Sequence, residues 1–265
     1  MRGLDPGRWL YGGINALVVG FLLAPIAVVA VFAVNPTPYI QFPPVGVSTR
    51  WFQKFLASRD FMSAIRLSLA VAGLAAVLAT ALGTTAALAL ARGRLPGARL
   101  LTATFLSPLM LPAILTGLAL FQLYVVLDVG RPLWGLVVGH VLIAIPYVVR
   151  TTLAVLHGLD RGLEEAARNL GASPARTFFE VTLPLIRPGV LAGAIFAFIV
   201  SFDQFPVSLF LVSPGQETLP ITLFNYLKYD LDGTIAAASM VSIVLSVAVV
   251  LVLDRSVGLR ASVKL

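Results

Sequence analysis

The sequence predicts an all-α protein, a polytopic bundle of six transmembrane helices with both termini on the cytoplasmic side. Three observations carry that prediction. Of the 265 residues, 58% are hydrophobic and only 12% are charged, where an average soluble domain has roughly 45–50% and about 25%. The mean hydropathy is +0.95. The apolar residues fall into six runs long enough to cross a hydrocarbon core, which takes about 20 residues each. Such a composition excludes a soluble globular enzyme, a disordered chain and a nucleic-acid-binding domain. The net charge of +7 is spread over short segments between apolar runs, as expected of a membrane protein with basic inner loops. There is no cysteine, which removes disulfides, thiolate metal sites and thiol nucleophiles.

The first span covers about 9–34 and exceeds the roughly 7–15-residue core of a secretory signal. It places Trp9 and Tyr11 at the interface and Pro25 within the helix. A Pro-rich segment follows (Pro36, Pro38, Pro43, Pro44). Ser48 then caps a short helix with Trp51, Phe52, Phe55 and Leu56 on one face, suited to lie in the membrane interface. The second span, about 62–91, is rich in Ala, Gly and Thr; small residues let backbones approach, so it packs inside the bundle. A basic turn with Arg92, Arg94 and Arg99 leads to the third span, about 100–127, with Pro108 and Pro112 inside it. A tight loop holds Asp128, Gly130, Arg131 and Pro132 before the fourth span, about 133–149. The fifth covers about 189–212 and the sixth about 234–253. Between them Pro220 opens a short helix through Leu223, Phe224, Tyr226 and Leu227. The chain, 1–265, is one transmembrane domain. Six spans put both termini on one side, and thirteen of the 19 Lys and Arg lie on that side against six on the other, which makes it cytoplasmic.

The stretch from about 157 to 188 is the longest polar segment on that side. It reads as two short helices with a corner. Asp160 caps the first, Gly171 supplies a left-handed stop, Ser173 caps the second and Pro174 opens it. Phe178, Phe179 and Val181 give the second an apolar face. Leu183-Pro184 and Arg187-Pro188 break it before the next span. A bland reading is a connecting loop lying on the membrane. Loops beyond about 12–15 residues are often functional, and capped amphipathic helices held out from a bundle suit a docking surface for a soluble partner.

The spacing Glu165-Ala166-Ala167, Gly171, Val181, Leu183-Pro184 resembles the EAA loop of ABC importer permeases, with Val where Ile is usual. Ser201-Phe202-Asp203, Pro214-Gly215 and Glu217-Thr218-Leu219-Pro220 resemble the spermidine/putrescine-type permease subunits. The resemblance implies a type I importer permease fold in a bacterial inner membrane. It implies that Glu164, Glu165, Ala166, Ala167, Gly171 and Ala172 form the coupling loop that seats in a cytoplasmic ATPase. It also implies two ATPase subunits, a second and non-identical permease subunit (or a homodimer), and an extracytoplasmic solute-binding protein. Membrane lipid surrounds the chain, and no nucleic acid is involved.

ATP chemistry needs a Lys after Gly in a phosphate-binding loop. Here Lys54, Lys228 and Lys264 follow Gln53, Leu227 and Val263. The chain is therefore no enzyme and carries no cofactor, and ATP with Mg belongs on the partner ATPases. His140 and His157 stand apart without a zinc-binding pattern. Asp203 is the notable intramembrane carboxylate, since such a group faces protein or water. It lines the pathway or a gate, meets a cationic substrate, or pairs with a polar group of a partner chain for packing. Gln204 and Phe202 are its companions; Phe202 and Phe205 read as packing more than as a cation cage. The leading solute is a polyamine or other small organic cation. An amino-acid-like compound, a phosphonate or a small anion is the alternative within the class, and a stand-alone secondary transporter is the alternative outside it.

Overall fold

Helix α6 (Leu133–Gly158) is the most enclosed of the long helices, with 56% of its membrane-length window buried. The computed structural model describes residues 6–39, 41–93 and 95–257. Arg2, Arg94 and Lys264, assigned from sequence to basic inner segments, lie outside the described residues, as does the side chain of Trp9. The other long helices are α1 (Pro6–Val34), α3 (Arg59–Arg92), α9 (Leu183–Phe202) and α12 (Thr234–Val257). Between them lie α2 (Arg50–Ala57), α4 (Ala98–Leu106), α5 (Ala113–Val126), α7 (Gly162–Asn169), α8 (Pro174–Thr177), α10 (Phe205–Leu211) and α11 (Leu219–Tyr229). The described residues contain no strand and only one isolated bridge, Ser213 with Gln216.

Five helical stretches are long and apolar enough to cross a membrane, and the bent pair α4–α5 makes a sixth. The third span is therefore broken, where the sequence suggests one run over 100–127. Its halves, joined by a 3₁₀ turn at Ser107–Leu109, meet at 99°. Pro108 and Pro112 are the cause: each removes an amide donor, and Pro112 holds Leu111 out of helical geometry. The fourth span reaches Gly158 instead of ending at Val149. Arg150 does not stop it, because a cation in an exposed position of a helix costs the backbone nothing.

The loop from 174 also differs from expectation. No break occurs at Leu183-Pro184 or Arg187-Pro188; helix runs from Pro174 to Phe202. A π turn at Phe178–Thr182 precedes Pro184. Its wider ring of hydrogen bonds tolerates the missing Pro184 donor and relieves the clash with the carbonyl four residues back. The fifth span, expected as one run over 189–212, instead ends at Phe202 and restarts at Phe205. Pro206, in the first turn of α10, cannot continue α9 because it lacks the amide that would bond the carbonyl of Phe202.

The chain divides into two compact units. One comprises Met1–Met62 and Leu223–Leu245, the other Ser63–Thr222 and Ser246–Leu265. In the first, Trp51 and Phe55 of α2 are buried, and Trp51 packs with Ala33 and Ala237. The Trp51 indole N–H donates to the Asn35 carbonyl at 2.7 Å. Thr49, not Ser48, occupies the cap position of α2, although the Ser48 hydroxyl still accepts the Arg50 amide. Leu56 is exposed, so the apolar face is narrower than expected. Lys54 meets Asp232 at 2.6 Å.

In the second unit α6 packs mainly on α9. Lipid tails are as apolar as these side chains, so close van der Waals packing, not water exclusion, holds such helices together. Glycine permits it. A Cβ at Gly83 of α3 would lie 2.7 Å from Cβ of Val148, and one at Gly193 of α9 would lie 2.8 Å from its Cα. Val148 is thus gripped between two helices that present bare backbone. His140, Ser201 and Ser208 are buried in the same unit.

Candidate functional site

The capped loop folds as its residue types dictate. Arg161, not Asp160, occupies the cap position of α7, without a side-chain cap bond, although the Asp160 carboxylate accepts the Gly162 amide at 2.9 Å. At the other end Gly171 adopts φ +90°, open to glycine at little cost. Ala172 N–H bonds the Ala167 carbonyl and Gly171 N–H bonds that of Arg168, which satisfies two carbonyls a helix end leaves free. The Ser173 hydroxyl accepts the Arg176 amide at 3.2 Å, and Pro174 begins α8.

Of the six motif positions, Glu164 alone turns firmly inward. Its carboxylate lies 3.3 Å from Arg92 Nε, at the end of α3, and accepts the Thr182 hydroxyl at 3.0 Å. Arg92 also donates to the Leu159 carbonyl, and Arg161 donates to that of Ala91. Three segments (the end of α3, the loop helix and the π turn) are tied through one carboxylate. Glu165, Ala166 and Gly171 face outward, and Ala167 and Ala172 are half-buried. Leu163, Leu170 and Phe179 are exposed beside them, Leu170 by 90%. The motif is thus braced from within by Glu164 and bordered by exposed apolar side chains.

The second cluster sits at the interruption between α9 and α10. Asp203 is exposed and has left helical geometry, with φ −96° and ψ 13°. Gln204 is extended and buried, and its side-chain Nε2 has no hydrogen-bond partner within the chain. Phe202 is buried and stacks on Phe198 with centroids 5.9 Å apart, which fits packing. The break thus leaves an exposed carboxylate beside an unsatisfied buried amide. Among the described residues no three His, Cys, Asp or Glu come together as metal ligands.

Sequence reasoning missed two features. The sequence marks Arg92 only as a loop cation, whereas its bond to Glu164 spans 72 positions. His140 stands isolated in the sequence, whereas its ring nitrogens bond Ser201 and Ser208 at 2.8 and 2.9 Å. No local signal names these partners, which lie 61 and 68 positions along the chain.

A multi-span helical bundle with a braced, outward-facing loop fits a transport permease. The chain belongs to the family of binding-protein-dependent transport system inner membrane components, which it matches over residues 79–260. It is accordingly a multi-pass inner-membrane protein. It is 35% identical over 224 residues to the putrescine transport system permease protein PotI of Escherichia coli (strain K12), covering 82% of this chain and 79% of that one. It is 30% identical over 246 residues to the spermidine/putrescine transport system permease protein PotC of the same strain, 92% of each chain. In fold it is similar to a chain of a bacterial ABC transporter that imports alginate, with a TM-score of 0.72, 16% identity and coverage of 96% and 99%.

Proposed function

We propose that this permease forms half of the translocation pathway of an ATP-driven importer for a polyamine or another small organic cation. The observation that carries the solute class is the similarity to two polyamine permeases over most of the chain; the exposed Asp203 carboxylate at a break in a span is consistent with it. A second permease subunit, non-identical, completes the pathway, and an extracytoplasmic binding protein delivers the solute. Of the importer's two ATPase subunits, one docks on Glu165, Ala166 and Gly171 of this chain and the apolar residues around them. The chain holds no phosphate-binding loop of its own, since none of its lysines follows glycine. With the basic termini and loops cytoplasmic, the braced loop lies on the side where ATP is hydrolysed. Closure of the ATPase pair moves α7, and Glu164 passes that motion to α3 and to the helix that begins at Pro174. Asp203 and Gln204 act as pathway or gate residues.

The test is binding-protein-stimulated ATPase activity and uptake by the assembled importer in proteoliposomes. The solutes are putrescine, spermidine, γ-aminobutyrate, an aminophosphonate and simple anions. Stimulation by the polyamines supports the proposal. Stimulation only by zwitterions or anions overturns the solute class and leaves the importer standing.

A further inference from the structure

His140 bonds one residue on each side of the interrupted fifth span. Ser201 is one residue from the end of α9, and Ser208 is in the second turn of α10. The hydrogen bonds have a direction. The Ser208 hydroxyl donates to the Gln204 carbonyl at 2.6 Å and so has no second proton to give. It must accept from His140 Nε2–H. In a neutral ring Nδ1 then accepts from the Ser201 hydroxyl. The relay runs from Ser201 through His140 and Ser208 to the carbonyl of Gln204, the cap residue of α10.

Each half of the span is separately seated. Gly193 brings α9 against Val148 of α6. A Cβ at Gly139, next to His140, would lie 2.9 Å from Val207 and 2.7 Å from Leu211 of α10, and one at Gly117 of α5 would lie 2.9 Å from Val207 Cα. Packing therefore fixes where each half lies. What links them across Asp203 and Gln204 is the imidazole.

We infer that His140 is a positioning residue: by binding Ser201 and Ser208 together it sets the angle between α9 and α10, and with it the presentation of Asp203 and Gln204. The functional part rests on the reading of those two residues as pathway or gate. A mere core histidine would satisfy its nitrogens on any neighbours. This one closes a circuit around the only two non-helical residues between the halves.

The chain has no cysteine, so Phe196→Cys on α9 and Leu209→Cys on α10, both at exposed positions, give one spin-label pair in the importer reconstituted in nanodiscs, with cysteines of the other subunits replaced. His140→Leu removes both bonds. His140→Gln keeps one donor and one acceptor. Ser201→Ala with Ser208→Ala removes both partners and leaves the ring. The expected result is a shifted or broadened distance distribution in His140→Leu and in the double serine variant, and recovery in His140→Gln. Uptake should fall about tenfold in the first two, the scale of one or two lost hydrogen bonds, and recover in the third. An unchanged distance distribution in the double serine variant overturns the clamp, whether or not His140→Leu assembles. A changed distribution with unchanged uptake keeps the clamp and overturns the gate reading of Asp203 and Gln204.

Discussion

Glu164 and Arg92 stand 3.3 Å apart although 72 positions separate them in the chain, and each side chain is less than one-fifth exposed. An ion pair this sheltered from water is screened little by salt, and losing one partner leaves a charge in poor solvent. The pair makes the loop helix part of the membrane bundle instead of an appendage. Glu164→Ala should therefore uncouple the importer, with ATP hydrolysis continuing while uptake falls. It should also lower stability by about 1–3 kcal/mol. Parallel ATPase, uptake and melting measurements check this. A double-mutant cycle with Arg92→Ala should return a coupling energy of about 0.5–3 kcal/mol.

Gly171 has open space around its Cα, so the first added carbon meets nothing inside the chain. The cost of Gly171→Ala is conformational, about 1–2 kcal/mol for an L-residue held in left-handed geometry. Gly171→Arg adds bulk toward the docking side. Its expected outcome is loss of ATPase co-purification, while Gly171→Ala retains it. Co-purification and uptake by both variants would remove this corner from the docking surface.

A methyl group at Gly233 would overlap the Trp51 indole, whose N–H is committed to the Asn35 carbonyl. Overpacking of this kind costs about 1–3 kcal/mol. Gly233→Ala should lower the melting temperature and shift the Trp51 fluorescence. Trp51→Phe combined with Gly233→Ala should recover part of the loss, since it removes the crowded ring edge.

Lys54 and Asp232 define two pH limits. The hydrogen bond to Asp232, helped by one to Tyr226, holds Lys54 well above the usual lysine value. Burial pushes Asp232 upward, but bonds from Lys54 and Thr234 outweigh it and hold the carboxyl below its ordinary value. A lowered acid contributes stability above its unfolded pKa and loses it as pH falls through the folded one. A raised base contributes below its unfolded pKa and loses it as pH rises through the folded one. The latch is therefore fully formed across neutral pH and weakens at both extremes. Asp232→Asn should flatten the acid limb of a melting-temperature profile and change the neutral plateau only modestly, because Lys54 is half exposed.

Asp203→Asn keeps the shape of the side chain and removes its charge. Uptake should fall about tenfold, the rate equivalent of about 1.4 kcal/mol. Unchanged uptake and unchanged solute-stimulated ATPase activity would make Asp203 a packing residue.

Most of the loop's punctuation is legible because each part follows from one residue's own chemistry: Gly171, Ser173 and Pro174 act within a turn of themselves, whereas the cap expected at Asp160 falls one residue later, at Arg161. The six apolar runs were legible because hydropathy is local too. The two interruptions were not, because hydropathy averages over Pro112 and Pro206 while backbone geometry does not. The His140 and Glu164 partnerships were invisible for a different reason. They join positions tens of residues apart, and nothing local to either residue names its mate.

The π turn has one more effect. Thr177 and Thr182 are both buried, though five residues apart. On an ideal α-helix a five-residue step leaves side chains about 140° out of phase, so one threonine would point away. Underwinding across Phe178–Thr182 lets both face inward. Thr177 lies under the corner and Thr182 reaches Glu164. The turn thus works as a phase adjuster. Ordinary winding over the same five residues would turn the docking corner about 100° around the helix axis, with every individual contact residue still present; deleting one residue should instead restore ordinary winding and leave the corner in phase.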